Sequence, residues 1–129
     1  MDCDWRPLAT IADMTVIECL FCKIIAGTIP ADFLHNDELV VVIRDINPKA
    51  PTHLLLMPRE HIQSAAQLRE EHGPMLGRMF AVAAELASDA GIVESGFRLV
   101  TNAGEGAGQS VPHLHFHLLG GRSMSWPPG

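Results

Sequence analysis

The sequence predicts an α+β domain: a five-stranded antiparallel sheet with one long and one short helix. Three observations carry this expectation. Val111-Pro112-His113-Leu114-His115-Phe116-His117-Leu118-Leu119 alternates histidine with apolar residues. Successive side chains of a strand point to opposite faces, so His113, His115 and His117 share one face and Leu114, Phe116 and Leu118 the other. A helix does not place i and i+2 on one face, which makes the segment a strand. Four more short apolar runs bounded by turn residues also read as strands. Finally, residues 71–90 carry apolar residues at helical spacing.

In chain order, residues 1–17 show no periodicity and read as an N-terminal extension, with Met14 a reasonable start for the chain proper and the folded domain spanning 18–129. Phe21 to Ala26 is a short helix, stopped by Gly27 and Pro30. Phe33 to His35 and Leu39 to Ile43 are strands joined by the Asn36-Asp37-Glu38 turn. Asp45-Ile46-Asn47-Pro48 turns the chain into a third strand, His53 to Met57, which Pro58 stops. Gln63 to Leu68 holds a helical turn. The long helix runs from about Glu71, past Gly73-Pro74, to Ala90, with Gly91 as its C-terminal stop. Met75, Met79, Val82 and Leu86 form one apolar stripe, and Leu76, Phe80, Ala83 and Ala87 an adjacent one. So wide an apolar face predicts burial on two sides, against the sheet and against a partner subunit. Phe97 to Asn102 is the fourth strand. The glycine-rich loop of residues 103–108 leads through Gln109-Ser110 into the histidine strand.

Composition narrows the function. The chain has 129 residues, 47% of them hydrophobic, which suits one domain with an ample core. No apolar run is long enough to cross a membrane. A net charge of −6 without a cluster of Lys and Arg argues against extended nucleic-acid binding. A small anionic ligand is compatible, because converging amides and imidazoles override the global sign locally. The three cysteines, Cys3, Cys19 and Cys22, are odd in number, and the first 18 residues lack a basic head followed by an apolar stretch. A reducing, cytoplasmic location is therefore expected. Cys19 and Cys22 form a C-x-x-C pair, which is either two small buried residues beside a helix start or half of a zinc site.

The histidines carry the chemistry. Imidazole accepts or donates a proton near pH 7, attacks phosphorus and binds metals. Glycine-rich backbone followed by Ser110 and then the histidine strand suits a phosphate cradle, because glycines let N–H groups converge on an anion. A metal-centred enzyme with His113, His115 and His117 as ligands is the rival reading. Same-face residues on a straight strand lie roughly 7 Å apart, so one ion would require a strong bend. No acidic residue follows in Leu118-Leu119-Gly120-Gly121-Arg122 to complete such a site. A nucleotide-binding regulatory module with weak turnover is a third reading.

His-φ-His-φ-His-φ-φ, where φ is apolar, resembles the signature of the histidine triad family. The resemblance extends in order through Asp45-Ile46-Asn47-Pro48, Ala50-Pro51-Thr52-His53, Pro58-x-x-His61, Asn102, Gly108-Gln109-Ser110-Val111, Gly120-Gly121-Arg122 and Trp126-Pro127-Pro128-Gly129. It covers residues 19–129 and is similar to the Hint branch, with Pro112 standing where members more often carry an aromatic residue. The resemblance implies a hydrolase that cleaves the P–N bond of purine nucleoside 5′-phosphoramidates, and a homodimer whose sheets join across the interface. It implies His115 as nucleophile, His117 as ligand of a non-bridging phosphate oxygen, His53 as part of the imidazole network and Ser110 at the leaving group. Asp45 matches the ribose ligand. Leu20, Phe21, Ile24, Ile43 and Ile46 match the base pocket, although from the residues alone they are plain core. Gly108 belongs to the matching loop, and Asn102, Gln109 and Val111 match phosphate contacts. Trp126 lies in a tail that reaches the partner's site. Members with an N-terminal C-x-x-C imply structural zinc on Cys19, Cys22, His61 and His113; no organic cofactor is implied. His35 and His72 read as ordinary surface residues.

Overall fold

The computed structural model describes residues 19–129, so the predicted N-terminal extension of residues 1–17 lies outside the described residues. The described residues open with α1, Leu20–Ile25, whose first turn is capped by Cys19: its Sγ accepts the Cys22 N–H at 3.3 Å. Gly27, at φ 83°, turns the chain out of the helix; that left-handed value favours glycine. The hairpin β1 (Phe33–Asn36) and β2 (Val40–Arg44) follows, then β3 (Thr52–Pro58), α2 (Gly73–Asp89), β4 (Phe97–Val100) and β5 (Phe116–Gly120). The strands form one sheet in the order β1-β2-β3-β5-β4. Every pairing is antiparallel.

Alternation in the two central apolar runs divides the core into two layers. Val40, Val42, Leu54 and Leu56 pack with Met75, Met79, Val82 and Ala83 of α2. Val41, Ile43, Leu55 and Met57 pack with Phe21, Ile24 and Ile25 of α1. Both faces of β2 and β3 are thus covered, which is why these strands are apolar at nearly every position. Fully burying one such Leu or Val contributes about 1.5–3 kcal/mol.

Most element ends differ from the sequence expectation by a residue, and Pro58, expected to stop the third strand, is its last residue; three boundaries differ more. The long helix starts at Gly73 because Glu70–His72 forms a separate 3-10 turn and Pro74 occupies the first turn of α2. Proline is tolerated there, where its missing N–H would lack an intrahelical partner anyway. The fourth strand ends at Val100. The histidine strand pairs only from Phe116, opposite Leu56. Beyond it the backbone leaves the ladder: the Leu114 N–H donates to Ile62 O and the His113 N–H to Val111 O. The predicted alternation nevertheless persists, since Leu114 and Leu118 lie in the α2-side core. Of the second stripe on α2, Ala83 and Ala87 are buried, while Phe80 is exposed and meets Phe116 edge-on at 5.5 Å.

Candidate active site

Sheet register brings the polar residues together. In the β3–β5 ladder, His53 opposes Leu119 and Leu55 opposes His117. His53 and His117 are therefore diagonal neighbours on the α1 face, close enough for long side chains to meet. Their Nε2 and Nδ1 atoms are 2.9 Å apart. Beside them lies an open cavity of about 390 Å³ whose lining includes Asp45, His53, Asn102 and His117. His115 precedes β5, its carbonyl held by the Thr101 hydroxyl at 2.7 Å. The Phe21 ring packs edge-on against the His115 ring at 4.9 Å, and the His115 and His117 rings are 5.2 Å apart.

Hydrogen bonding assigns a tautomer to each imidazole. His115 Nδ1 lies 2.8 Å from the His113 carbonyl. A carbonyl only accepts, so His115 carries its proton on Nδ1 and keeps a lone pair on Nε2. The Lys49 N–H donates to His53 Nδ1 at 2.9 Å. Neutral His53 therefore carries its proton on Nε2 and donates it to His117 Nδ1, which leaves the His117 proton on Nε2. The two neighbouring rings so present opposite functions, a nucleophilic lone pair on His115 and a donor on His117.

Electrostatics keeps these rings neutral. Burial pushes His53, His115 and His117 below the ordinary histidine value, and the Asp45 charge opposes it at all three. Asp45 Oδ2 sits 3.3 Å from His53 Nε2, while Oδ1 accepts the Asn47 N–H at 2.8 Å. A neutral imidazole keeps the lone pair that attack on phosphorus requires.

A second cluster lies behind His115. Ligand atoms of Cys19, Cys22, His61 and His113 all fall within 4.8 Å of one another. His113 Nδ1 is 3.3 Å from Cys19 Sγ and 3.5 Å from Cys22 Sγ, and His61 Nδ1 is 3.2 Å from Cys22 Sγ. Sulfur and nitrogen ligands on one tetrahedral zinc lie roughly 3.5 Å apart, given Zn–S of about 2.3 Å and Zn–N of about 2.0 Å. His113 Nε2 donates to the Pro58 carbonyl at 2.8 Å, so its Nδ1 lone pair faces the sulfurs. A carbonyl partner on the far nitrogen is the usual means of orienting a ligating imidazole. With both cysteines as thiolates, the donor types and their spacing would suit a closed, structural zinc site.

This partition removes the one-ion reading of His113, His115 and His117. His113 Nδ1 is turned toward the cysteines, whereas His117 groups with Asp45 and His53. The strand face is shared, but the imidazoles serve different neighbours.

Other predicted residues are placed as follows. Phe21, Ile24 and Ile43 are buried in the α1-side core, whereas Leu20 and Ile46 are exposed, Ile46 fully at 100%. Asn102 lines the cavity. Gly108 ends a 3-10 turn at φ 87°, a left-handed conformation open to glycine. Gln109 braces the loop: its N–H donates to Gly104 O, its Oε1 accepts the Gly104 N–H, and its Nε2 donates to Gln63 O and Val111 O. Ser110 is exposed, and Val111 packs on the α1-side core. Trp126 is 82% exposed. His35 and His72, read as ordinary surface residues, are partly exposed and bond local partners. His35 pairs with Asp37 at 2.6 Å, and His72 Nδ1 accepts the Arg69 N–H at 2.9 Å.

Sequence reasoning missed Lys49, Thr101 and Arg98. Lys49 acts on His53 through its backbone N–H, for which side-chain identity gives no signal. Arg98 lines the cavity and donates to Ser125 O at 2.8 Å, holding the tail.

Comparison with known proteins agrees with this geometry. The family model described as scavenger mRNA decapping enzyme C-term binding matches residues 18–126. The chain is 47% identical over 107 residues to the purine nucleoside phosphoramidase of Escherichia coli, covering 83% of this chain and 90% of that one. It is 43% identical over 112 residues to an uncharacterized HIT-like protein of Synechococcus elongatus, covering 87% and 97%. Among solved structures, a HIT family hydrolase from Legionella pneumophila superposes with a TM-score of 0.85 at 46% identity, covering 87% of this chain and all of the other. With its alternating histidines, its five-stranded sheet and these relatives, the chain belongs to the histidine triad family.

Proposed function

We propose that this protein hydrolyses purine nucleoside 5′-phosphoramidates through a nucleotidyl intermediate on His115. The observation that carries the reading is the pair of opposite tautomers, His115 with a free Nε2 lone pair and His117 with an Nε2–H. His115 Nε2 attacks the α-phosphorus, and the P–N bond to the amine breaks. His117 donates a hydrogen bond to a non-bridging oxygen as negative charge builds there. Ser110 holds the leaving nitrogen and relays to it a proton from solvent, which the water of the second step gives back when it adds to phosphorus. Water then attacks phosphorus, the P–Nε2 bond breaks, and a nucleoside 5′-monophosphate departs. Purine specificity is supported by the Escherichia coli relative, a purine nucleoside phosphoramidase.

Asp45 accepts hydrogen bonds from the ribose hydroxyls. The base lies against Leu20, Phe21, Ile24, Ile43 and Ile46, with the two exposed members, Leu20 and Ile46, covering it. Asn102 and the loop of Gly108, Gln109, Ser110 and Val111 surround the phosphate. Cys19, Cys22, His61 and His113 hold structural zinc. Bound there, the metal supplies a cross-link between α1 and the approach to β5, with no part in the reaction. Two copies form a dimer with continuous sheets, and Trp126 of each copy reaches the other's site. In support, β4 is an edge strand whose Phe97 is exposed, and Phe80 and Val93 are exposed as well. No helix among the described residues is long and apolar enough to cross a membrane.

The test is incubation with a purine nucleoside phosphoramidate, following released amine and, after rapid acid-free quench, the mass of the histidine-bearing peptide. Turnover with a nucleotidyl adduct on His115 is expected. His115→Ala should abolish turnover and adduct while retaining nucleoside monophosphate binding, because it removes the covalent route but few ground-state contacts. Binding without turnover in the parent protein would instead identify a nucleotide-binding module. Sedimentation as a monomer at micromolar concentration would remove the dimer.

A further inference from the structure

The motif Gly120-Gly121-Arg122 has no part in the chemistry above, yet the structure places it against the turn that carries Lys49. Arg122 Nε donates to the Lys49 carbonyl at 2.8 Å. One residue earlier, Gly121 sits at φ 90°, and a Cβ there would lie 2.9 Å from Pro51 Cβ. The backbone after β5 thus abuts the 49–51 segment at two successive residues. On the other side of the same residue, the Lys49 N–H donates to His53 Nδ1 at 2.9 Å. Lys49 is bonded at both its carbonyl and its N–H, which restrains the two peptide planes flanking its Cα.

We propose that Arg122 is a positioning residue: by holding the Lys49 carbonyl it keeps the Lys49 N–H on His53 Nδ1, and so fixes His53 as a donor to His117. Its second hydrogen bond, from Nη1 to the Ser123 carbonyl at 3.1 Å, braces the guanidinium against its own segment. Without the clamp, the 48–51 turn moves off His53, and Nδ1 becomes free to carry the proton. His53 Nε2 would then be an acceptor and no longer donate to His117. The charges facing His53 are Asp45, Lys49 and Arg122, with His117 across the ladder. Burial lowers its pKa most, Asp45 raises it, and Lys49 and Arg122 lower it further. Removing Arg122 therefore lets His53 protonate at higher pH, and a protonated Nδ1 cannot accept from Lys49.

The catalytic consequence rests on the proposed phosphoramidase reading, but the tautomer does not, so the two are tested separately. In 15N-labelled, ligand-free protein, long-range 1H–15N correlation spectra report which His53 nitrogen is protonated. The parent should show a single form with hydrogen on Nε2, and Arg122→Met a mixture. Arg122→Lys, which retains a charge and a donor, should restore the parent pattern at least partly. Under turnover, Arg122→Met should lower kcat roughly tenfold, less than the 10²-fold or greater effect of removing an acid–base group outright. Arg122 also lines the cavity beside His53, so a change confined to KM would mark a substrate contact, whereas the positioning role predicts that the loss falls mainly on kcat. The acid limb of the rate profile should move to higher pH. An Arg122→Met protein with the parent's His53 tautomer and an unmoved acid limb would overturn the proposal. If the parent hydrolyses no phosphoramidate, the tautomer spectra still decide the role of Arg122.

Discussion

Replacing Asp45 by Asn tests the electrostatic centre of the site. The carboxylate has two commitments within the protein: Oδ1 accepts the Asn47 N–H at 2.8 Å, and Oδ2 faces His53 Nε2 at 3.3 Å. Asn retains the volume and one oxygen, so the turn at Asn47 survives. It replaces the other oxygen with an NH₂ group, a donor facing the His53 N–H donor. Two effects follow. If Asp45 binds the ribose, a charge-assisted acceptor is lost, worth about 1.5–3 kcal/mol, or roughly 10- to 150-fold in Kd. Asp45 also favours the charged form of His53, His115 and His117. Without it, burial is less opposed, the imidazoles stay neutral to lower pH, and the acid limb of kcat/KM shifts downward. The sign is opposite to that expected for Arg122→Met. The assay pairs calorimetric titration of a nucleoside monophosphate and its 2′,3′-dideoxy analogue with a pH–rate profile. The parent should prefer the ribo ligand, and Asp45→Asn should abolish the preference. Equal affinity of the parent for both ligands would refute the ribose contact. An acid limb that stayed in place or moved upward in Asp45→Asn would refute the electrostatic argument.

Metal analysis of protein purified without chelator should give close to one zinc per chain. Chelation should lower the Tm more than it lowers kcat, because the ligands bind the fold together while the reacting atoms lie elsewhere; a metal-free parent would return His113 to a hydrogen-bonding role. Asp37→Ala should destabilise the protein by about 1.5–3 kcal/mol, the range for hydrogen bonds to a charged group: in the turn between β1 and β2, Asp37 Oδ1 accepts the Leu39 and Val40 N–H groups at 2.8 Å each, and Oδ2 binds His35 and Arg78. Burial raises the Asp37 pKa, but these hydrogen bonds outweigh it and hold the carboxyl far below its ordinary range. A depressed carboxyl stabilises the fold above the unfolded-state pKa and loses that contribution as pH falls. The difference in denaturation midpoint between parent and Asp37→Ala should accordingly narrow in acid, and a difference that widened would contradict it.

Periodicity alone determined which face each strand residue takes. The alternation Leu114/Phe116/Leu118 against His113/His115/His117 follows from the two-residue repeat of extended backbone, and it persists although ladder pairing starts only at Phe116. The apolar runs Leu39 to Ile43 and His53 to Met57 likewise read as strands, and the structure added that both of their faces are buried. Strand order was not legible, because any antiparallel arrangement satisfies the same alternation; the structure decided that β5 lies between β3 and β4. That placement creates the His53–His117 diagonal across 64 residues of sequence. The type of each imidazole was visible in the chain, but its tautomer was not. Tautomers depend on which backbone group meets which ring nitrogen: the His113 carbonyl at His115, the Lys49 N–H at His53, the Pro58 carbonyl at His113. Backbone groups are the same at nearly every residue, so sequence carries no mark of them, and only the packed chain selects which ones arrive.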